Sequence, residues 1–256
     1  YWMINGPLDK PPLSIYASAL GMHFFAANMN DLGIIDVPIK QGEFAAKIPN
    51  VFAGLLTIAL SYAIARALYP QGRVALIAAL VVAVSPYAVA YSASAFTDAL
   101  MLVLMLAAWL LAIRKRPAWS GILLALSFAA KPQGLLYLPL ILLFLLMDLD
   151  AFKNDKILVQ PQWIWRVLRF TLALLAGIAI LLLWDAARPE TSLFTLGSIN
   201  ISQGRVITPP QEWLPRLQEW FRIGDNLLGW GWFSGLLILV STLTVFWRKR
   251  MLDWVL

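Results

Sequence analysis

The sequence predicts an all-α membrane protein, a polytopic helical bundle of about seven transmembrane helices with additional juxtamembrane helices. Three observations predict it. Apolar residues make up 61% of the 256 positions and charged residues 13%, against about 45–50% and about 25% in soluble domains. The apolar residues come in long runs, not in the polar–apolar alternation of barrel strands. The 20 basic residues outnumber the 14 acidic ones, and in membrane proteins such an excess gathers on cytoplasmic loops. A soluble globule of this size cannot hide so much apolar surface, and a disordered chain has too little of it. Nucleic acid is not expected as a partner. Cysteine is absent, which removes disulfides, thiolate metal sites and a cysteine nucleophile.

Seven stretches approach the roughly 20 apolar residues that a spanning helix needs. They cover roughly 49–69, 74–95, 98–113, 118–130, 134–147, 167–187 and 228–247. An eighth, 13–29, contains His23 and Asn28 and reads as an interfacial or poorly spanning segment. The chain is read as one transmembrane domain. Residues 1–48 form an outer loop and juxtamembrane segment, 49–147 a helical core, and 148–256 the C-terminal helices with an outer loop at 188–227. Tyr1 to Lys10 has no basic leader and no apolar run, so no signal peptide is read there. The chain reads as part of a longer one.

The pair 118–130 and 134–147 is either one helix kinked at Pro132 or a hairpin around Lys131-Pro132-Gln133-Gly134. Charge decides it. A hairpin places 12 basic residues inside: Arg66, Arg73, Arg114, Lys115, Arg116, Lys153, Lys156, Arg166, Arg169, Arg248, Lys249 and Arg250. The other 8 fall outside: Lys10, Lys40, Lys47, Lys131, Arg188, Arg205, Arg216 and Arg222. A single helix reverses everything after it and leaves 9 inside against 11 outside. The hairpin is expected.

The 30–48 segment is polar and reads as outer loop. Within 188–227, Trp213, Leu217 and Trp220 recur at i, i+4 and i+7, the spacing of an interfacial helix on the outer leaflet or of an ordinary amphipathic connector. Trp163, Trp165, Trp230, Trp232, Trp247 and Trp254 fall at expected helix ends, where tryptophan anchors a helix to the interface.

Ionisable residues at membrane depth are costly unless paired or hydrated, so each is a candidate for function. Asp9-Lys10-Pro11-Pro12-Leu13 precedes an apolar run, and the prolines stop a helix from extending backward. Lys10 is then either a fixed phosphate partner or a snorkelling lysine. Asp98, in Ser94-Ala95-Phe96-Thr97-Asp98, either caps the next helix or offers a carboxylate to an outward cavity. Lys131, with Gln133 beside it in the hairpin turn, either snorkels or faces an anionic headgroup at a helix N-terminus. His23 is the only histidine and reads as structural. Asp9, Lys10, Asp98 and Lys131 are all expected on the outer face around one cavity, a combination suited to an anionic lipid. No metal ligand set is read, no cofactor is expected, and a divalent metal stays open.

The same residues carry a resemblance. The chain resembles GT-C glycosyltransferases of the dolichyl-phosphate-mannose–protein mannosyltransferase and aminoarabinose transferase type. Asp9-Lys10-Pro11-Pro12-Leu13 is similar to their acid-Lys/His-Pro-Pro-Leu motif. Ala45-Ala46-Lys47-Ile48-Pro49-Asn50 resembles the Ala-Arg-Leu-Pro-Ser stretch that opens a helix. Ser85-Pro86 and Thr97-Asp98-Ala99-Leu100 resemble the Ser-Pro and Thr-Asp signature, and Gly121 to Lys131 the Gly-Leu-Ala-x-x-Thr-Lys-Gly run. The ordered set covers roughly 9–145.

The resemblance implies inverting sugar transfer from a polyprenyl-phosphate donor to an acceptor on the outer face of a cell membrane, bacterial or archaeal. Asp9 and Lys10 would line the donor site, Asp98 would be the second outer carboxylate, and Lys131 would face the phosphate. The family's general-base aspartate lies upstream of Lys-Pro-Pro, a position that would precede Tyr1. The second reading is therefore a catalytically inactive GT-C-like subunit of a larger membrane complex, photosynthetic or respiratory, with other membrane subunits as partners beside membrane lipid. A transporter is a third class, and matching halves with broken helices, its usual mark, are not seen.

Overall fold

The computed structural model describes residues 8–29, 31, 33, 35–147, 161–202, 209–225 and 231–248. Apolar runs with few breakers become helices, and prolines or short polar turns separate them. In order these are α1 Leu13–Phe25, α2 Ile39–Leu68, α3 Gly72–Val84, α4 Pro86–Ser92, α5 Thr97–Ile113 and α6 Pro117–Ala130. A 3₁₀ turn, Pro132–Tyr137, leads into α7 Leu138–Leu146. There follow α8 Trp163–Ala186, α9 Leu193–Ser202, α10 Trp213–Asp225 and α11 Gly231–Arg248. Two short strands, Asn28–Met29 and Ile35–Asp36, pair antiparallel between α1 and α2.

The architecture is the expected all-α membrane bundle, with fewer full spans than the seven expected. Among the described residues, α2 and α8 are long and apolar enough to cross a membrane. The α3–α4 pair, bent by 60°, adds a third if it counts as one span. Helices α5, α6 and the 132–146 unit are apolar but shorter. At a rise of about 1.5 Å per residue, the 17 residues of α5 reach only about 25 Å, short of the roughly 30 Å hydrocarbon core. Apolarity alone made them look like full spans. Leu55, Leu56, Leu172, Leu175, Ile180 and Leu183 are exposed on α2 and α8, a surface suited to lipid and not to water.

Two boundaries differ from the sequence reading. The stretch 39–48, read as outer loop, is the first part of α2. Its Glu43 and Lys47 sit at i, i+4 and pair at 2.7 Å, which supports a helical turn despite its polarity. Pro49 lies inside this helix and does not open it. The 74–95 run bends at Ser85, whose hydroxyl accepts from the Ala88 N–H at 3.4 Å while Pro86 takes the first helical position.

The 117–147 segment is a hairpin. α6 ends at Ala130, Lys131 is extended, and the chain returns through the 3₁₀ turn and α7. The return is fixed at the other end of the bundle by Lys115, whose φ of 57° is left-handed. Its ammonium donates to Phe144 O at 2.6 Å and Met147 O at 2.7 Å, capping the last carbonyls of α7. The main apolar core fills this end, from Ile64 and Leu68 through Ile113, Leu124 and Leu145 to Phe170 and Leu174.

Helices α5 and α6 are stitched by serines: Ser120 Oγ donates to Ala108 O at 2.7 Å and Ser127 Oγ to Met101 O at 2.9 Å. Helices α6 and α8 approach through small residues, as membrane helices do. A Cβ on Gly121 would lie 2.4 Å from Phe170 O.

Near the C-terminus, Glu212 pairs with Arg216 at 2.9 Å. Arg222 pairs with Glu219 at 2.6 Å, which holds the Arg222 guanidinium above its ordinary pKa. Trp213 and Leu217 are exposed, as are Trp163, Trp165 and Trp247. The side chains of Trp220 and Trp232 lie outside the described residues. So do Trp230, Trp254, Lys153, Lys156, Arg205, Lys249 and Arg250.

Gly121→Ala should destabilise the protein by about 1–3 kcal/mol, because the new methyl meets backbone and not a movable side-chain end. Thermal unfolding in detergent would show this as a lowered midpoint.

Candidate functional site

At the end of the bundle opposite the core, three chain segments meet. The first is the loop before α1. Pro12 is the N-cap of α1 and offers no side-chain cap. Pro11 and Pro12 are both buried and anchor the turn. The first hydrogen bond of the helix runs from Tyr16 N–H to Pro12 O at 2.9 Å. The N–H groups of Leu13, Ser14 and Ile15 therefore have no partner within the helix, and such a first turn attracts anions.

The second segment is the α4–α5 loop. Asn50 of α2, only 5% exposed, holds it. Its side-chain amide donates to Ser94 O at 2.7 Å and to Phe96 O at 2.6 Å. This fixes the path into α5 and hence the place of Asp98. The third segment is the hairpin turn with Lys131.

Lys131 Nζ and Asp98 Oδ1 form an ion pair at 2.5 Å, with the two side chains 27% and 35% exposed. Asp98 is not the N-cap of α5, which is Phe96, but it lies in the first turn, where the helix N-terminus favours a carboxylate. From there it directs its carboxylate across to Lys131.

A cavity of about 460 Å³ lies among these segments. Asp9 and Lys10 line it from the loop, Ser14, Ile15, Ser18, Ala19 and Met22 from α1, and Ala95 to Asp98 and Lys131 from the other side. The four charged residues singled out in the sequence thus share one cavity. Gln133 is exposed and is not among the lining residues. His23 is exposed too, and its ring stacks edge-on with Phe24. Lys10 makes no ion pair among the described residues. The Ser14 hydroxyl is buried without a partner among them. Among the described residues no three His, Asp or Glu side chains gather closely enough to hold a metal ion.

A second cavity, of about 540 Å³ and almost wholly apolar, lies between α2, α3, α4 and α5. Gly54, Thr57, Val81, Tyr87, Tyr91 and Leu102 line it, and so does Asp98. Asp98 is therefore the wall common to a charged chamber and an apolar groove.

Two groups escaped the sequence reading. Asn50 was seen only as part of a motif, although an amide inside an apolar run signals a buried polar task. Arg188 was counted only as an outer charge, and Asp185, inside the expected span 167–187, was not singled out, yet both are buried.

The family described as dolichyl-phosphate-mannose-protein mannosyltransferase matches residues 9–165, more than half of the chain. The chain belongs to this family. It is thereby a membrane glycosyltransferase of GT-C type, as the ordered motifs imply. The match begins at Asp9, so it takes in the Lys-Pro-Pro turn, the Asp98 loop and the Lys131 hairpin that build the charged chamber. No curated protein and no solved structure matches the chain.

Asn50→Ala should cost about 1–3 kcal/mol, since two loop carbonyls lose their buried donor. In a double-mutant cycle on thermal stability, Asp98→Asn and Lys131→Met should couple by no more than about 1 kcal/mol, the range of half-exposed ion pairs.

Proposed function

We propose that the protein transfers a sugar from a polyprenyl-phosphate donor to a hydroxyl acceptor at the outer face of a membrane that it crosses several times. One observation carries this reading: Asp98 lines both the charged chamber and the apolar groove. A lipid-linked sugar has those two parts, a charged head and a long apolar tail. The groove suits the tail, and the chamber suits the phosphate and sugar.

In this reading Lys10 and the open first turn of α1 receive the phosphate. The Asp98 carboxylate holds Lys131 in place beside it. A base takes the proton of the acceptor hydroxyl, and the oxygen attacks the anomeric carbon from the face opposite the phosphate. The bond from that carbon to the phosphate oxygen breaks, and the lipid phosphate leaves with the electron pair. Lys10 and Lys131 stabilise the charge that develops on it. Asp9 lies close enough to the head to orient the acceptor or the sugar. No nucleotide takes part.

The test is sugar transfer by the full-length protein in proteoliposomes supplied with a polyprenyl-phosphate sugar. Lys10→Ala should raise the donor KM about tenfold, the scale of one charge-assisted hydrogen bond. Asp98→Asn should lower kcat about a hundredfold, because a Lys131 no longer held in place stabilises the leaving phosphate poorly, while leaving the unfolding midpoint little changed. A parent protein that transfers no sugar, with variants that assemble normally, would overturn the reading in favour of a structural subunit.

Sidedness is checked separately. Gln71→Cys and Gln133→Cys stand at opposite ends of the bundle, so an impermeant thiol reagent added outside intact cells should label only Gln133→Cys.

A further inference from the structure

The geometry points to Asp185 as the positioning residue of the charged chamber, a buried carboxylate that holds two of its walls from behind. Asp185 is 6% exposed and lies in the last turn of α8, where the helix dipole disfavours an anion. Stability of α8 therefore does not explain it. Its partners come from the segment that follows. Ser192 Oγ donates to Asp185 Oδ2 at 2.6 Å, and the Leu193 N–H donates to Oδ1 at 3.1 Å. The carboxylate thus caps the N-terminus of α9, where an anion is favoured. Arg188, also buried, pairs with Oδ1 at 3.4 Å.

From this knot two connections run to the chamber. Arg188 lies over the Trp184 ring at 5.4 Å, and Trp184 Nε1 donates to the Tyr16 hydroxyl at 3.1 Å. The Tyr16 and Trp184 rings also meet edge to face at 6.0 Å. Tyr16 belongs to α1, whose Ser14, Ser18 and Met22 form the chamber wall. The other connection is α9. A Cβ on Gly197 would lie 2.9 Å from Asp9 O, so α9 abuts the loop that carries Asp9 and Lys10. One carboxylate therefore sets the position of α1 through Arg188, Trp184 and Tyr16, and of the Asp9–Lys10 loop through α9. Its importance for transfer rests on the donor-site reading of the chamber, whereas the positioning itself does not.

The test exploits the absence of cysteine. Ser18→Cys reports on the chamber wall, and Gln71→Cys, at the opposite end, serves as reference. Each is labelled with a water-soluble maleimide in the otherwise intact protein in nanodiscs. Asp185→Asn should speed labelling of Ser18→Cys about tenfold, the scale of a lost hydrogen bond to a buried charge, and leave Gln71→Cys unchanged. Tyr16→Phe and Ser192→Ala, each lacking a single oxygen, should shift Ser18→Cys in the same direction by a smaller factor, and they serve should Asp185→Asn fail to fold. No change at Ser18→Cys in folded variants, or equal changes at both cysteines, overturns the inference, since equal changes mean general loosening. Added polyprenyl phosphate should protect Ser18→Cys in the parent. Absence of that protection would count against the donor reading and leave the positioning result standing.

Discussion

The structure turns on the ion pair between Lys131 and Asp98. It joins the tip of the α6–α7 hairpin to the start of α5, a contact that forms only because the 117–147 segment doubles back. An ammonium and a carboxylate set among apolar helices each need a partner or water. Meeting each other satisfies part of that need, and the chamber beside them supplies the rest. Lys115 repeats the device at the far end, where it takes the last carbonyls of α7. One lysine at each end of the hairpin thus fixes its register against the bundle, and the apolar core can pack between them.

Much of this was legible in the sequence because charge has few places to go in a membrane protein. The 12-to-8 division of basic residues already favours a hairpin over a single helix. Pro132 and Gly134 mark the turn. Asp9, Lys10, Asp98 and Lys131 stand out as the ionisable residues beside apolar runs. Apolarity, however, measures composition and not length, so α5, α6 and α7 read as spans although each is short. The polar 39–48 stretch was taken for loop because its helix is supported by a side-chain pair and not by an apolar stripe. Gln133 was chosen for its nearness in sequence to Lys131, but two residues further on, inside the 3₁₀ turn, it is exposed and does not line the chamber.

The groups that escaped notice share a property. Asn50, Asp185 and Arg188 act through partners distant in the chain or across a turn. Asn50 reaches residues 94 and 96, and the knot at Asp185 reaches Tyr16 by way of Trp184. Pattern along the chain identifies residues that are costly where they stand. It does not identify what relieves the cost, because that depends on which helices become neighbours. The family match ends at residue 165, so the Asp185 knot also lies beyond the portion whose motifs guide the eye.

The position of Asp98 links these levels. α3 and α4 bend by 60° at Ser85-Pro86, so that α4 comes onto α2, where Ser92 closes on Gly54, and the apolar groove is enclosed between the two arms, α2 and α5. Asn50 draws the following loop back onto α2, which brings Asp98 to the mouth of that groove. A loop released from Asn50 would lose the two bonds that fix its path into α5. The same serine-proline turn that interrupts the apolar 74–95 run thus contributes to the wall of the groove that Asp98 shares with the charged chamber. The break keeps its backbone bonded, Ser85 N–H donating to Val82 O at 3.3 Å and Val89 N–H to Ser85 O at 3.0 Å, while Ser85 itself lines the groove.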